Sequence, residues 1–233
     1  DTGRGCIDRA FRFNTAVEEA CKAVLSAKME ASGAPNGVGI VKLMGRSAGY
    51  ISAHATIATQ DVDLCCIPEV PMVMEGELSC LPHVLNAIRE KGHAVIVVAE
   101  GAGEELLGQS AETDAGGNRK LPPIGVFMKE KIKSYLGDQG VAASIKYIDP
   151  SYMIRSVAAN ASDKIYSMQT AHNAVHGAMA GFTGFTTALA NNRVVYIPIK
   201  QMTDSSPRAM DAFGRTWERV LCETRQPNTN GNI

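Results

Sequence analysis

Residues 38–50 read VGIVKLMGRSAGY: an apolar run of strand length ends on Met44, Gly45 and Arg46, and small residues suited to opening a helix follow. The same alternation returns downstream. DLCCIPE (63–69) precedes ELSCLPHVLNAIREKG (77–92), and HAVIVVAEG (93–101) precedes a polar stretch and a helix expected over 122–136. Strands alternating with helices imply crossover units, and continuous rather than alternating apolar runs imply strands covered on both sides. The expected fold is α/β, a parallel sheet with helices on both faces.

Working outward, residues 14–31 (NTAVEEACKAVLSAKMEA) place Ala16, Val17, Ala20, Val24, Leu25 and Ala27 on one helical stripe, with Asn14 or Thr15 as the cap. The glycine-rich stretch 101–123 reads as a surface loop. Beyond it come a strand at 143–148, a helix at 161–179, a strand at 193–199 and a helix at 210–223, while 226–233 (QPNTNGNI) is expected to be disordered.

The 233 residues carry a net charge of -1 and are 45% hydrophobic, enough for a sizeable core. No long-range attraction to nucleic acid or to an anionic membrane follows from such a charge, and no apolar run reaches bilayer length. A small-molecule ligand in a cytoplasmic protein is the expectation, with neither nucleic acid nor membrane as partner. The six cysteines match neither a metal knuckle nor a Cys-x-x-Cys pair and read as reduced, buried thiols. Asp1 in place of an initiating methionine suggests a processed polypeptide or a piece of something longer.

In an open parallel sheet, ligands lie beyond the carboxyl ends of the strands. Three such ends carry chemistry. Met44, Gly45 and Arg46 offer a positive charge and close backbone approach at a helix N-terminus. Glu100, at the end of VIVVAEGAG, offers a carboxylate for ligand hydroxyls. KYIDPSYMIRS groups Lys146, Tyr152 and Arg155 about a proline turn, with cations suited to a phosphate. Each alone is as well explained by solvation or capping. Gly101, Gly103 and Gly108 miss the dinucleotide spacing, which disfavours a nicotinamide oxidoreductase. His172 and His176 lie one helical turn apart without an acidic partner, so no metal site is assigned.

Taken together, MGRSAGY, VVAEGAG and YIDPSYMIRS, with NASD and AVHGAMAGFTGFT after them, resemble the sugar-phosphate half of the 6-phosphofructokinases, in the plant and protist form. The resemblance runs from about Ile7 to Pro198. It implies that Met44, Gly45 and Arg46 contact fructose 6-phosphate and that Arg46 offsets charge on the transferred phosphoryl group. Glu100 would bind sugar hydroxyls and Arg155 the phosphate. Tyr152 stands where bacterial members have histidine, and Lys146 where they have arginine. The bacterial arginine seven residues before M-G-R is Gly37 here.

Against the family's T-I-D-N-D-I-P motif and its later aspartate, Asp1 falls on the general base and Asp8 on the later acid. Thr2, Gly3, Arg4 and Gly5 depart from the middle. The resemblance therefore implies an ATP-dependent 6-phosphofructokinase using Mg2+ with ATP, of which this chain is the acceptor-binding portion, inactive by itself. Residues 14–158 would form the fructose 6-phosphate lobe and 159–233 a segment returning to a nucleotide lobe. Uncovered apolar surface and a homo-oligomer are expected. The rival reading is a non-catalytic sugar-phosphate or nucleotide sensor, which the departures at residues 2–5 would suit.

Overall fold

The structure is a computed structural model that describes residues 7–108, 112–113, 117, 120–204 and 209–230. Asp1 and the motif around it lie outside the described residues. In chain order the elements are α1 (Phe13–Ser32), β1 (Gly37–Leu43), α2 (Tyr50–Thr59), β2 (Leu64–Cys66), α3 (Cys80–Lys91), β3 (His93–Ala99), the single turn α4 (Glu104–Leu107), α5 (Ile124–Asp138), β4 (Ile145–Ile148), α6 (Ser151–Ser156), α7 (Ala161–Met179), β5 (Phe185–Ala190), β6 (Arg193–Pro198), α8 (Ile199–Asp204) and α9 (Arg215–Thr224).

The continuous apolar runs become a four-stranded parallel sheet in the order β2-β3-β1-β4. Successive side chains on a strand point to opposite faces, so each run feeds two cores. Ala94, Ile96 and Val98 of β3 join α3 and α5 on one side, and Val95 and Val97 join α1, α2 and α9 on the other. The expected α/β sheet covered on both faces is what forms. Trp217 and Val220 of α9, fully buried, belong to the second core.

The α1 stripe is narrower than expected. Ala16, Ala20, Val24 and Ala27 are buried, but Leu25, about 100° around the helix from Val24, is 45% exposed. The alanines matter because α1 lies almost against the backbone of β1. A Cβ added at Gly37 would stand 2.0 Å from the carbonyl oxygen of Ala31, and one at Gly39 2.7 Å from that of Ala27. No arginine fits at position 37 with α1 so placed.

Neither Asn14 nor Thr15 caps α1; Arg12 is the N-cap, in the left-handed region, without a side-chain bond to the helix. The amide of Thr15 instead donates to Asp163 Oδ2 at 2.8 Å and its hydroxyl to the same oxygen at 2.6 Å, from the first turn of α7. Asn160 caps α7 by accepting from the Asp163 amide at 3.0 Å, while its own amide donates to Thr15 Oγ1 at 3.0 Å. The NASD string is thus an interlock between two helix N-termini, each supplying what the other lacks.

The strand at 193–199 does not extend the parallel sheet. It pairs antiparallel with β5, which sequence reading missed, through a two-residue turn at Asn191 and Asn192, both at positive φ. Asparagine tolerates that conformation, and such turns match the twist of a hairpin. Asp8 accepts the amides of Asn191 and Asn192 at 2.9 and 2.7 Å. The hairpin packs on α7, where Gly177 makes room for Phe185 and Tyr196.

Two further expectations are corrected. Residues 226–230 are held in place: Gln226 uses its side-chain amide as a strand would, accepting from the Cys65 amide at 2.7 Å and donating to the Cys65 carbonyl at 3.0 Å along the edge of β2. Thr229 donates to the Pro71 carbonyl at 2.7 Å. Cys222 is exposed, on the solvent side of α9, whereas Cys65, Cys66 and Cys80 are buried and unbridged. Burial pushes the Cys65 thiol up to about 12, which leaves it inert.

Apolar surface is left uncovered on α7 and beside it: Ile165, Met168, Val175, Met179, Phe182 and Ile199 are all exposed, Met179 by 83%. Patches of this kind favour association. The chain is therefore expected to self-associate at tens of micromolar, and a concentration-independent monomer in sedimentation velocity would contradict this.

The interlock predicts that Asp163→Ala destabilises the fold by about 2 to 3 kcal/mol in urea unfolding, because a buried amide loses its charged acceptor. Thr15→Val, which keeps that amide but removes the hydroxyl bonds to Asp163 and from the Asn160 amide, should cost less, about 1 to 2 kcal/mol. Equal losses would show that the backbone bond is not the one that matters.

Candidate functional site

The strand ends come nearly level. Leu43 pairs with Ala99, and Ile148 pairs with Val41, two rungs below Leu43. β1 lies between β3 and β4, the point at which the order of the sheet changes side, and crevices at such points receive ligands.

Backbone geometry joins the first two loaded turns. The amide of Glu100 donates to the Leu43 carbonyl at 2.9 Å and that of Gly101 to the Gly45 carbonyl at 3.1 Å, which carries the β1–β3 ladder past the end of the sheet. A Cβ on Gly101 would stand 1.9 Å from the Arg46 carbonyl oxygen. Gly45 has φ 148, and a Cβ there would stand 2.7 Å from the Ala48 carbonyl oxygen. Met44, Gly45, Arg46, Glu100 and Gly101 therefore form one continuous turn-on-turn surface, which only glycine permits at 45 and 101.

The third segment closes over it. On α6, Ser151 and Ile154 are buried while Tyr152 and Arg155, three residues apart, share an outward face. Arg155 Nε donates to Met44 Sδ at 3.3 Å, which sets the guanidinium against the β1 turn. Tyr152 is 83% exposed, so its ring stands at the mouth rather than in the floor.

Lys146 is not brought to the same place. It pairs with Gly39 in mid-strand and is exposed on the edge of the sheet, about 10 Å of strand below Asp149. Its closeness in sequence to Tyr152 and Arg155 is lost because β4 is extended where α6 is helical. Sequence reading overlooked Lys42, on β1, whose ammonium pairs with Asp149 at 2.6 Å. Asp149 in turn accepts from the Ser151 hydroxyl at 2.6 Å and from its amide at 3.2 Å, at the start of α6.

Burial alone would favour the neutral amine of Lys42, yet Asp149, with lesser help from Tyr147 and Glu100, holds it above its ordinary value. Burial likewise works against the charge on Asp149, and Lys42 together with Ser151 outweighs it, leaving the carboxyl below its usual range. The pair places fixed charge beside the site and pins α6 at its first turn.

The N-terminus of α2 does not serve as expected. The Glu69 carboxylate occupies it, accepting from the Gly49 amide at 3.0 and 3.1 Å through its two oxygens, and from the Met210 amide at 2.7 Å. A Cβ on Gly49 would meet Ile67 at 2.4 Å. This glycine admits the end of DLCCIPE, and the positive end of the helix is already neutralised by a side chain of the protein. The signal was present as an acid directly after the β2 run. His172 and His176 are exposed on α7, and among the described residues no group of three or more His, Cys, Asp or Glu is arranged to hold a metal.

Comparison with known proteins supplies an independent result. The Phosphofructokinase family profile matches residues 5–178. "ATP-dependent 6-phosphofructokinase 7" of Arabidopsis thaliana is 45% identical over 228 residues, covering 97% of this chain and 47% of the relative. "ATP-dependent 6-phosphofructokinase" of Amycolatopsis methanolica is 42% identical, covering 97% of this chain and 50% of its own. The chain thus spans about half the length of the curated relatives it matches. Among solved structures, the phosphofructokinase of Saccharomyces cerevisiae superposes with a TM-score of 0.66 at 20% identity, over 96% of this chain and 27% of that one. The pyrophosphate-dependent phosphofructokinase of Marinobacter aquaeolei gives 0.66 at 17% identity, over 96% of this chain and 56% of its own.

The Lys42–Asp149 pair makes a pH prediction. A depressed carboxyl stabilises the fold fully above its ordinary value of 3.8, and that contribution is lost as the pH falls through the lower folded value. In Lys42→Met the Asp149 carboxyl should titrate higher than in the parent, because burial is then opposed by Ser151 alone. Carboxyl-carbon NMR titration reads this directly, and an unmoved value would refute the pairing.

Proposed function

The chain belongs to the phosphofructokinase family, and from that premise we propose that it is the acceptor half of an ATP-dependent 6-phosphofructokinase. The parent protein would transfer the γ-phosphate of ATP to the 1-hydroxyl of fructose 6-phosphate in glycolysis, with this chain supplying the sugar-phosphate site. One observation carries the reading: the Met44–Arg46 turn, the Glu100–Gly101 turn and the Arg155 side chain meet at a single sheet end.

In this proposal the Arg155 guanidinium grips the 6-phosphate, for which its forked donors are suited. Glu100 accepts from sugar hydroxyls, and Gly45 lets the sugar approach the backbone. Met44 forms the floor under Arg155. Arg46 offsets charge on the phosphoryl group in transit, and Tyr152 borders the opening. Lys146 stays in the proposed set as an edge cation, more remote than the rest. Asp1 is the proposed general base.

ATP as donor is supported by relatives more than 40% identical that are named ATP-dependent. Magnesium with ATP belongs to the same proposal. Phosphoryl transfer requires both reactants to be positioned, and the isolated chain is proposed to bind sugar phosphate without turning it over.

Residues 14–158 are proposed as the sugar-phosphate lobe and 159–233 as the segment that returns toward a nucleotide lobe. The exposed apolar face of α7 supports the second assignment, while α9 seats on the first lobe's own core. We further propose a cytoplasmic homo-oligomer with small-molecule reactants. No helix among the described residues is long and apolar enough to cross a membrane; two Arabidopsis relatives are named chloroplastic.

Calorimetric titration with fructose 6-phosphate tests the reading. The parent chain should bind saturably, and Arg155→Ala should weaken binding roughly tenfold to a hundredfold, as expected for losing charged hydrogen bonds of about 1.5–3 kcal/mol. Lys146→Ala should change it much less. Absence of binding by a chain with a folded near-ultraviolet spectrum, or indifference to Arg155→Ala, would overturn the proposal.

A further inference from the structure

Arg12 departs from local preference. It holds φ 61 and ψ 15, a left-handed conformation that favours glycine, at the N-cap of α1. Its carbonyl accepts the first bond of that helix, from the Ala16 amide at 2.9 Å. Its side chain crosses to another element: Nη1 donates to the Arg155 carbonyl at 3.2 Å and Nη2 to the Val157 carbonyl.

Those two carbonyls end α6, where backbone acceptors run out of partners within the helix. A basic side chain is the natural complement to such an end. With only six residues, α6 has little cohesion of its own. Its start is pinned by Asp149 and Ser151, its middle by buried Ile154, and its end by Arg12. The tether also falls on the backbone of the residue whose side chain lies on Met44.

We propose that Arg12 is a positioning residue for the site: by fixing the C-terminal carbonyls of α6 it orients Arg155, and Tyr152 on the same face, toward the bound sugar phosphate. This rests on the sugar-phosphate reading of the site. A positive φ at a residue other than glycine persists where surrounding contacts demand it.

The test compares the full chain with Arg12→Gly and Arg12→Lys by three measurements: fructose 6-phosphate affinity, amide hydrogen exchange over residues 152–157, and the thermal midpoint. Glycine removes the tether but relieves the backbone. Arg12→Gly should therefore keep or raise the midpoint while affinity falls about tenfold, the order expected for losing a charged hydrogen bond, and while 152–157 exchange faster. Arg12→Lys, with a single point of attachment, should recover part of the affinity. A purely structural tether would lower the midpoint and leave affinity alone.

Affinity within about twofold of a binding parent in Arg12→Gly would overturn the proposal whatever the exchange shows. If the parent itself binds no fructose 6-phosphate, the sugar-phosphate reading fails separately. Arg12 is then judged by exchange: faster exchange over 152–157 in Arg12→Gly keeps it as the residue that orients α6, and unchanged exchange removes it.

Discussion

A buried carboxylate, that of Asp163, settles where α1 begins. The helix brings no side-chain cap of its own, and its third amide is instead taken by an acid from α7. A negative charge at a helix N-terminus is favoured by the aligned peptide dipoles as well as by the direct bond. Once its start is set, α1 has one track across the sheet, over the groove that Gly37 and Gly39 leave open. That track fixes β1, and β1 ends in the turn on which the site is built. Residues after 160 are therefore part of the support of a site formed entirely before them.

The site itself divides into a part made by backbone and a part made by side chains. The Gly45 and Gly101 turns are bonded to one another and packed too tightly for any side chain, so their geometry hardly depends on what binds. The α6 segment is different in kind. It is short, bears the exposed side chains of Tyr152 and Arg155, and is held by a few polar contacts at its ends and one aliphatic residue between. The floor is thus set by backbone and the wall by side chains, so substitutions on α6 can change the wall while leaving the floor as it is.

How far the sequence could be read follows from the range of each interaction. β1, β3 and α7 were legible because their patterns are local: a seven-residue apolar run, or nineteen residues of helical spacing. The turns at Met44 and Glu100 could be expected to lie together because both close strands of one parallel sheet. Contacts across long stretches of chain named no partner locally, even where, as at Glu69, the residue itself stood out. Asp163 beneath α1, Glu69 at α2 and Arg12 under α6 are polar residues whose partners lie 20 to 148 positions away. The hairpin at Asn191 and Asn192 had a local signal, two residues tolerant of positive φ between apolar runs, that went unread. Lys146 shows the converse: nearness in sequence became distance within the chain because extended chain advances about 3.3 Å per residue.

The pleat of β2 has a practical consequence. Cys65 and Cys66 are adjacent in the chain, yet one belongs to the core beneath α1, α2 and α9 and the other to the core beneath α3 and α5. Each thiol is shielded until its own layer parts from the sheet. Alkylation rates followed at the two neighbours would time the opening of the two helical layers separately, giving the molecule a pair of internal clocks, one for each side of a strand only three residues long.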